Sequence, residues 1–270
     1  MTKIFPLGKL FSTNQNGFII NDCHPNKILP PWTSLVQELR QTCLQIWSSR
    51  LQALYLRGSV PRGLAILNCS DLDSFALLSG EITLEDIEQS RQLCQTLNRR
   101  YLFCKKVELI LFEDKLIEKT DSIWPVIIQT QSLQIAGDFF PKTLKVKPGP
   151  DLISYSYSWQ LDLANTLKGL ECLSPKALDY SKQVRKKSAW IARRLIRVGF
   201  ELVMEQDQCY TPDLYQCYER FSAYFPEQRN SMKKALELAI NPSENRAGLI
   251  IFLRGFGRWL EEEVNRKFYP

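Results

Sequence analysis

Two short segments decide the fold of this 270-residue chain, Leu56–Gly63 (LRGSVPRG) and Ser70–Phe75 (SDLDSF). Eleven residues separate Ser59, the serine of a Gly-Ser pair, from Asp71. Asp71 and Asp73 are two residues apart, so on an extended strand their carboxylates point to the same face. Two like charges at one place repel each other unless a cation lies between them. The spacing therefore predicts a divalent cation bound by paired carboxylates.

The Gly-Ser pair predicts a turn that can hold a phosphate chain. Gly58 has no Cβ to keep phosphate oxygens away from the backbone N–H groups, and Ser59 adds a hydroxyl donor. Magnesium is typically bound by one or two carboxylates together with phosphate oxygens. A phosphate-binding turn followed by paired carboxylates is therefore typical of nucleotidyl transfer.

The order Gly-Ser, a spacer, then Asp-hydrophobic-Asp resembles the signature of the DNA polymerase β-type nucleotidyltransferases. The resemblance covers roughly residues 50–112 of the sequence. This superfamily expects a third carboxylate on a later strand. The β-rich run Val107–Phe112 (VELILF) carries one acidic residue, Glu108, and the resemblance assigns that role to it.

In layout the chain is similar to the two-domain, aminoglycoside adenylyltransferase-like members of that superfamily. The resemblance implies that Asp71, Asp73 and Glu108 are the catalytic residues and the ligands of two Mg²⁺ ions. It also implies that Gly58 and Ser59 bind the phosphates of ATP or another nucleoside triphosphate. The expected reaction transfers NMP, with AMP preferred, to a hydroxyl of a small-molecule acceptor and releases pyrophosphate.

Three basic residues are further candidates for binding the nucleotide. Arg62 follows the turn, and Lys186 and Arg193 lie on one flank of the apolar stripe of a predicted helix. Each has a plainer alternative, a solvated surface charge whose stem covers apolar neighbours. Glu108 has one as well, an exposed strand residue without a catalytic role.

Composition and charge exclude several other classes of protein. The net charge of +6 suits anionic ligands but lacks the strong bias of a dedicated nucleic-acid binder. One histidine, His24, argues against a Ser-His-Asp hydrolase. Eight cysteines without a Cys-x-x-Cys pair argue against zinc and predict a reduced, cytoplasmic protein. Without a long apolar run or a signal peptide, no membrane partner is expected.

Hydrophobic periodicity predicts an α+β fold in residues 1–150, a small mixed β-sheet with helices, and an all-α helical bundle in 151–270. The proline-rich segment 141–150 marks the boundary. Strands are predicted at 51–57, 72–78 and 106–112, with a strand or mixed segment at 123–130. Helices are predicted at 34–50 and 85–100, and around 158–169, 175–205, 212–224, 229–240 and 244–267.

Two functional alternatives stay open at this point. The acceptor could be a protein or an RNA, since a mildly basic chain permits nucleic-acid binding without indicating it. The chain could also be a non-catalytic nucleotide-binding module that keeps the fold. A polycationic aminoglycoside would call for an acidic pocket, which the net basic sequence does not indicate.

Overall fold

The computed structural model describes residues 3–117, 124–138 and 144–269. The chain divides into two compact units. The sheet unit is Phe18–Val146, and the helical unit combines Lys147–Pro270 with Met1–Gly17. The sequence-based division at residue 150 instead places the first 17 residues with the strands. None of the described helices is long and apolar enough to cross a membrane.

The N-terminal segment packs on the helical unit through backbone and side-chain contacts. The Phe11 N–H donates to the carbonyl of Tyr210 at 2.8 Å, and the two rings lie 5.5 Å apart. The Thr211 hydroxyl donates to the carbonyl of Lys9 at 2.9 Å. The Lys9 N–H donates to Asp213 at 3.0 Å. Phe11 is only 4% exposed, so this segment contributes to the core of the helical unit.

The sheet unit is built on a mixed sheet of four strands in the order β3-β2-β1-β4. β1 pairs antiparallel with both β2 and β4, whereas β2 and β3 are parallel. Together with the helical region that follows, this confirms the predicted α+β fold with a small mixed sheet. The strands are β1 (Leu51–Arg57), β2 (Leu72–Leu78), β3 (Val107–Glu113) and β4 (Ser132–Gly137).

The two faces of the sheet are covered differently. Leucines from one face pack against two helices to form the larger core. The other face carries a smaller cluster in which Tyr55 stacks on Phe75, and Phe75 and Phe112 contact Trp124. The helices of this unit are α1 (Trp32–Trp47), α2 (Leu84–Arg100), α3 (Asp114–Ile117) and α4 (Trp124–Gln131).

The strand or mixed segment predicted at 123–130 is wrong. Residue 123 lies outside the described residues, and the rest of the segment belongs to α4, with Pro125 as the second residue of that helix. Proline is tolerated there because the first N–H groups of a helix have no intrahelical partner. The strand β4 follows directly at Ser132 and pairs with β1 at the sheet edge.

A buried carboxylate joins α1 to the start of α2. Thr83 caps α2, its hydroxyl accepting from the Asp86 N–H while the Asp86 carboxylate accepts from the Thr83 N–H. The same carboxylate accepts from Trp47 Nε1 at 2.9 Å and from Arg50 at 3.0 Å. Burial would raise the pKa of Asp86, but these hydrogen bonds outweigh it and hold that pKa below its ordinary value.

The helical unit is organised around one long helix, Tyr180–Asp207, whose second half is mostly buried. Glu201 of this helix is buried and accepts hydrogen bonds from the N–H groups of Ser154, Tyr155 and Ser156. Its carboxylate therefore caps the N-terminus of the preceding helix. A π-helical turn, Leu253–Gly257, divides the helix predicted at 244–267. The helices are α5 (Tyr155–Glu171), α6 (Tyr180–Asp207), α7 (Leu214–Tyr224), α8 (Arg229–Ile240), α9 (Arg246–Phe252) and α10 (Arg258–Phe268).

Candidate active site

The acidic residues singled out in the sequence lie at one end of two neighbouring parallel strands. Asp73 is the second residue of β2 and Glu108 the second residue of β3, and the two are partners in the strand register. Asp71 comes directly before β2. They share the sheet face that carries Tyr55 and Phe75, since residues two apart on a strand point the same way.

Asp73 lies in a desolvated place close to other charged groups. Burial raises the pKa of Asp73 above its ordinary value. Arg57 opposes that rise, and the carboxylates of Glu108 and Asp71 add to it. A carboxylate that is both desolvated and close to like charges is stabilised by an arriving cation.

Two protein cations already face these carboxylates. Arg57 is the register partner of Asp73 on β1, and its guanidinium lies 5.9 Å from the ring centre of Trp124. The Lys106 ammonium forms an ion pair with Glu108, and this hydrogen bond raises the pKa of Lys106, with further contributions from the charges of Asp71 and Asp73. Sequence reasoning missed Lys106, although its position two residues before Glu108 places it on the same side of the strand.

The donors present fit a magnesium site that phosphate oxygens complete. Asp71 Oδ1 is buried and has no hydrogen-bond partner among the described residues. No group of three or more His, Cys, Asp or Glu side chains in the described ranges is arranged to hold a metal by itself. Magnesium needs only one or two carboxylates when a substrate supplies phosphate oxygens. Asp71 and Asp73 meet that smaller requirement.

The turn after β1 lies directly against Asp73. Gly58 has a φ of +81°, and a Cβ there would lie 2.8 Å from Asp73 Oδ2. Beyond it, the Leu64 N–H donates to the carbonyl of Ser59 at 2.9 Å, which closes the turn. Glycine is therefore required at position 58 both by its backbone conformation and by its closeness to the carboxylate.

Arg62 belongs to this turn and is buried, not exposed at the surface. Its residue exposure is 4%, and its Nε donates to Asp22 at 3.3 Å. Asp22 also accepts from the Lys27 ammonium at 2.6 Å. The alternative of a solvated surface charge is therefore wrong for Arg62. Its predicted contact with a phosphate stays a prediction.

Lys186 and Arg193 belong to the helical unit. Both are exposed on α6, where they line a groove between this helix and α5. Their predicted contact with a triphosphate stays a prediction, as do the predicted roles of Gly58, Ser59 and the three carboxylates.

No family model matches the sequence, and no curated protein matches it. Among solved structures, the chain is similar to spectinomycin adenyltransferase AAD(9) from Enterococcus faecialis, crystallised with ATP and spectinomycin. The two share 12% sequence identity over 86% of this chain and 99% of that chain, with a TM-score of 0.48. A likeness at this level assigns no activity, substrate or cofactor to the present chain.

Proposed function

We propose that this chain is a metal-dependent nucleotidyltransferase. It would move a nucleoside monophosphate, with AMP preferred, from a nucleoside triphosphate to a hydroxyl of a small-molecule acceptor. The observation that carries the proposal is the register pairing of Asp73 with Glu108, with the Gly58 turn packed against the Asp73 carboxylate. This arrangement places acidic oxygens beside the backbone of a glycine-containing turn. Carboxylates and a turn backbone are what a metal-bound triphosphate requires.

Asp71 and Asp73 are the residues that would hold Mg²⁺, together with phosphate oxygens of the nucleotide. The metal, when bound, offsets the charge that develops on the attacking and leaving oxygens during transfer. Asp71 Oδ1 is buried and lacks a hydrogen-bond partner in the part of the chain that the structure describes, and the pKa of Asp73 is raised. Both observations favour a bound cation at this place.

The turn at Gly58 and Ser59 would orient the phosphate chain. Because Gly58 carries no side chain, the Asp73 carboxylate can pack directly against the backbone of the turn, which keeps a proposed metal ligand beside the proposed phosphate-binding segment. The Ser59 hydroxyl can donate to a phosphate oxygen. Arg62 would support this turn, since its hydrogen bond to Asp22 joins the turn to the segment that precedes α1.

Glu108 is proposed to accept the proton of the acceptor hydroxyl. The oxygen then forms a bond to the α-phosphorus, the bond from that phosphorus to the bridging oxygen breaks, and pyrophosphate leaves. The Lys106 ammonium, half-exposed on a flexible stem, can follow the leaving phosphate once Glu108 is protonated. Its charge would then stabilise pyrophosphate.

The test replaces the paired carboxylates with amides. Asp71→Asn and Asp73→Asn should each lower transfer from ATP by at least about a thousandfold, because metal charge is lost where negative charge develops. Isothermal titration should show Mg²⁺-dependent binding of one nucleotide to the unaltered protein and none to the double variant. Glu85→Gln, which removes an exposed carboxylate on α2, is the matched control.

Thermal unfolding of the same variants shows whether they are folded. Since burial raises the pKa of Asp73, the neutral amide should leave the melting temperature unchanged or higher. Undiminished Mg²⁺-dependent transfer in both aspartate variants would contradict the assignment. Metal-dependent nucleotide binding without transfer to any acceptor would favour the non-catalytic alternative.

A further inference from the structure

A basic groove runs along the helical unit, apart from the acidic residues of the sheet. It lies between α5 and α6 and has a volume of about 620 Å³. This volume falls within the usual range of ligand sites. The charged and aromatic residues that line it are Asp179, Lys182, Lys186, Lys187, Trp190 and Arg193.

The charge of the groove is strongly one-sided. It contains four basic side chains and one acidic side chain, Asp179, whose carboxylate accepts from Gln183 at 2.6 Å. Over the described ranges, no acidic group forms an ion pair with Lys182, Lys186 or Lys187. The groove is therefore suited to a ligand with several negative charges.

The cations follow one line along the helix. Lys182, Lys186 and Arg193 are spaced by four and seven residues, so they share one face of α6. At 1.5 Å per residue, Lys182 and Arg193 lie about 17 Å apart along the axis. A triphosphate concentrates its charge around one point, whereas these cations match a chain of charges spread along a line.

Trp190 adds an aromatic surface within this line. It is 42% exposed, an unusual setting for so large an apolar side chain. The Arg194 guanidinium lies 5.5 Å from its ring centre and is itself fixed by an ion pair with Asp162. A ring supported in this way is a platform on which a planar group can stack.

We propose that this groove binds a single-stranded nucleic acid, with its phosphates along the lysines and one base stacked on Trp190. A line of cations interrupted by an exposed aromatic ring is the arrangement that single strands require. The assignment does not rest on the proposed transferase activity, because none of the groove residues belongs to the acidic site. Lys186 and Arg193, which the sequence predicts to contact a triphosphate, are assigned to the nucleic acid instead.

The test measures fluorescence anisotropy of a labelled single-stranded RNA of about 12 nucleotides titrated with the full chain. No Mg²⁺ or triphosphate is added, so the result is independent of the catalytic proposal. Lys182→Gln/Lys186→Gln should raise Kd about tenfold at moderate salt and reduce the salt slope by about 0.7 for each lysine removed. Lys233→Gln/Lys234→Gln, on the surface of α8, removes the same charge outside the groove and should change Kd by less than about twofold.

The aromatic contact is tested separately. Trp190→Ala should weaken binding about tenfold without changing the salt slope, and Trp190→Phe should retain most of the affinity. An equal loss of affinity in the Lys233→Gln/Lys234→Gln control would overturn the proposal, because the RNA would then be attracted by the overall charge of the protein and not by the groove. It would also be overturned by absence of binding, or by equal affinity for free ATP, which would make the groove a mononucleotide site.

Discussion

At the scale of single residues, the candidate site depends on an absent side chain at position 58. Gly58 and Gly80 both have positive φ angles in the sheet unit, +81° and +77°. A Cβ at position 58 would meet Asp73 Oδ2 at 2.8 Å, whereas one at position 80 would meet nothing within 4 Å. Comparing an alanine variant at each position therefore distinguishes the effect of backbone strain from the effect of a clash with the Asp73 carboxylate.

Gly58→Ala should abolish measurable transfer, because Asp73 must move away from the added methyl group. Gly80→Ala should leave transfer unchanged, although both variants lose roughly 1–2 kcal/mol of stability from the unfavourable φ. Urea unfolding and the transfer assay on both proteins provide the comparison. Equal transfer by the two variants would show that the Gly58 turn has no part in the reaction.

Much of the acidic site could be proposed from the sequence, because its residues are local in the chain. Asp71 and Asp73 are two residues apart, and Glu108 is the acidic residue of a β-rich run. The contacts of Arg62 could not be predicted, since its partner Asp22 lies 40 residues away in an irregular segment. A buried arginine and an exposed one look the same in sequence.

At the scale of elements, the hydrogen bonds of Asp86 at the start of α2 stabilise the junction between α1 and α2. Asp86→Asn should destabilise the protein by about 2 kcal/mol at pH 7, because a buried carboxylate with charged and neutral donors is replaced by an amide. The pKa of Asp86 is lowered in the folded protein, so its stabilisation is present above the unfolded pKa and is lost as pH falls through the folded pKa.

Denaturant unfolding at several pH values measures this effect. The stability difference between Asp86→Asn and the unaltered protein should be full at pH 7 and should shrink below about pH 4. A difference that stayed constant down to acid pH would mean that hydrogen-bond geometry, and not the negative charge, stabilises the junction.

The elements themselves were predictable to different degrees. β1 and β2 have the predicted bounds, since each is a short apolar run delimited by turn residues. The sequence does not indicate the helix α4, because its five apolar residues WPVII precede the polar residues QTQ without a helical period, and proline suggests a strand edge. β4 mixes small, polar and apolar residues, so only its pairing with β1 identifies it as a strand.

At the scale of the whole molecule, the irregular N-terminal segment has no periodicity that could assign it to either unit. Its position follows from contacts with residues about 200 positions later.

Phe11→Ala should lower the free energy of unfolding by about 3 kcal/mol and speed hydrogen exchange at residues 209–213 and in α7. Exchange in β1 and β2, measured by mass spectrometry, should not change. Equal acceleration in these strands would place the segment with the sheet unit.

The placement of the N-terminal segment has a consequence for synthesis of the chain. Lys9 and its partner Thr211 are 202 residues apart, and the whole sheet unit is translated between them. At about 5–20 residues per second, the segment waits roughly 10 to 40 s for its partner to emerge. We expect Phe11 to stay exposed while the strands fold, so that slower translation lengthens the time during which chaperones and proteases can reach this segment.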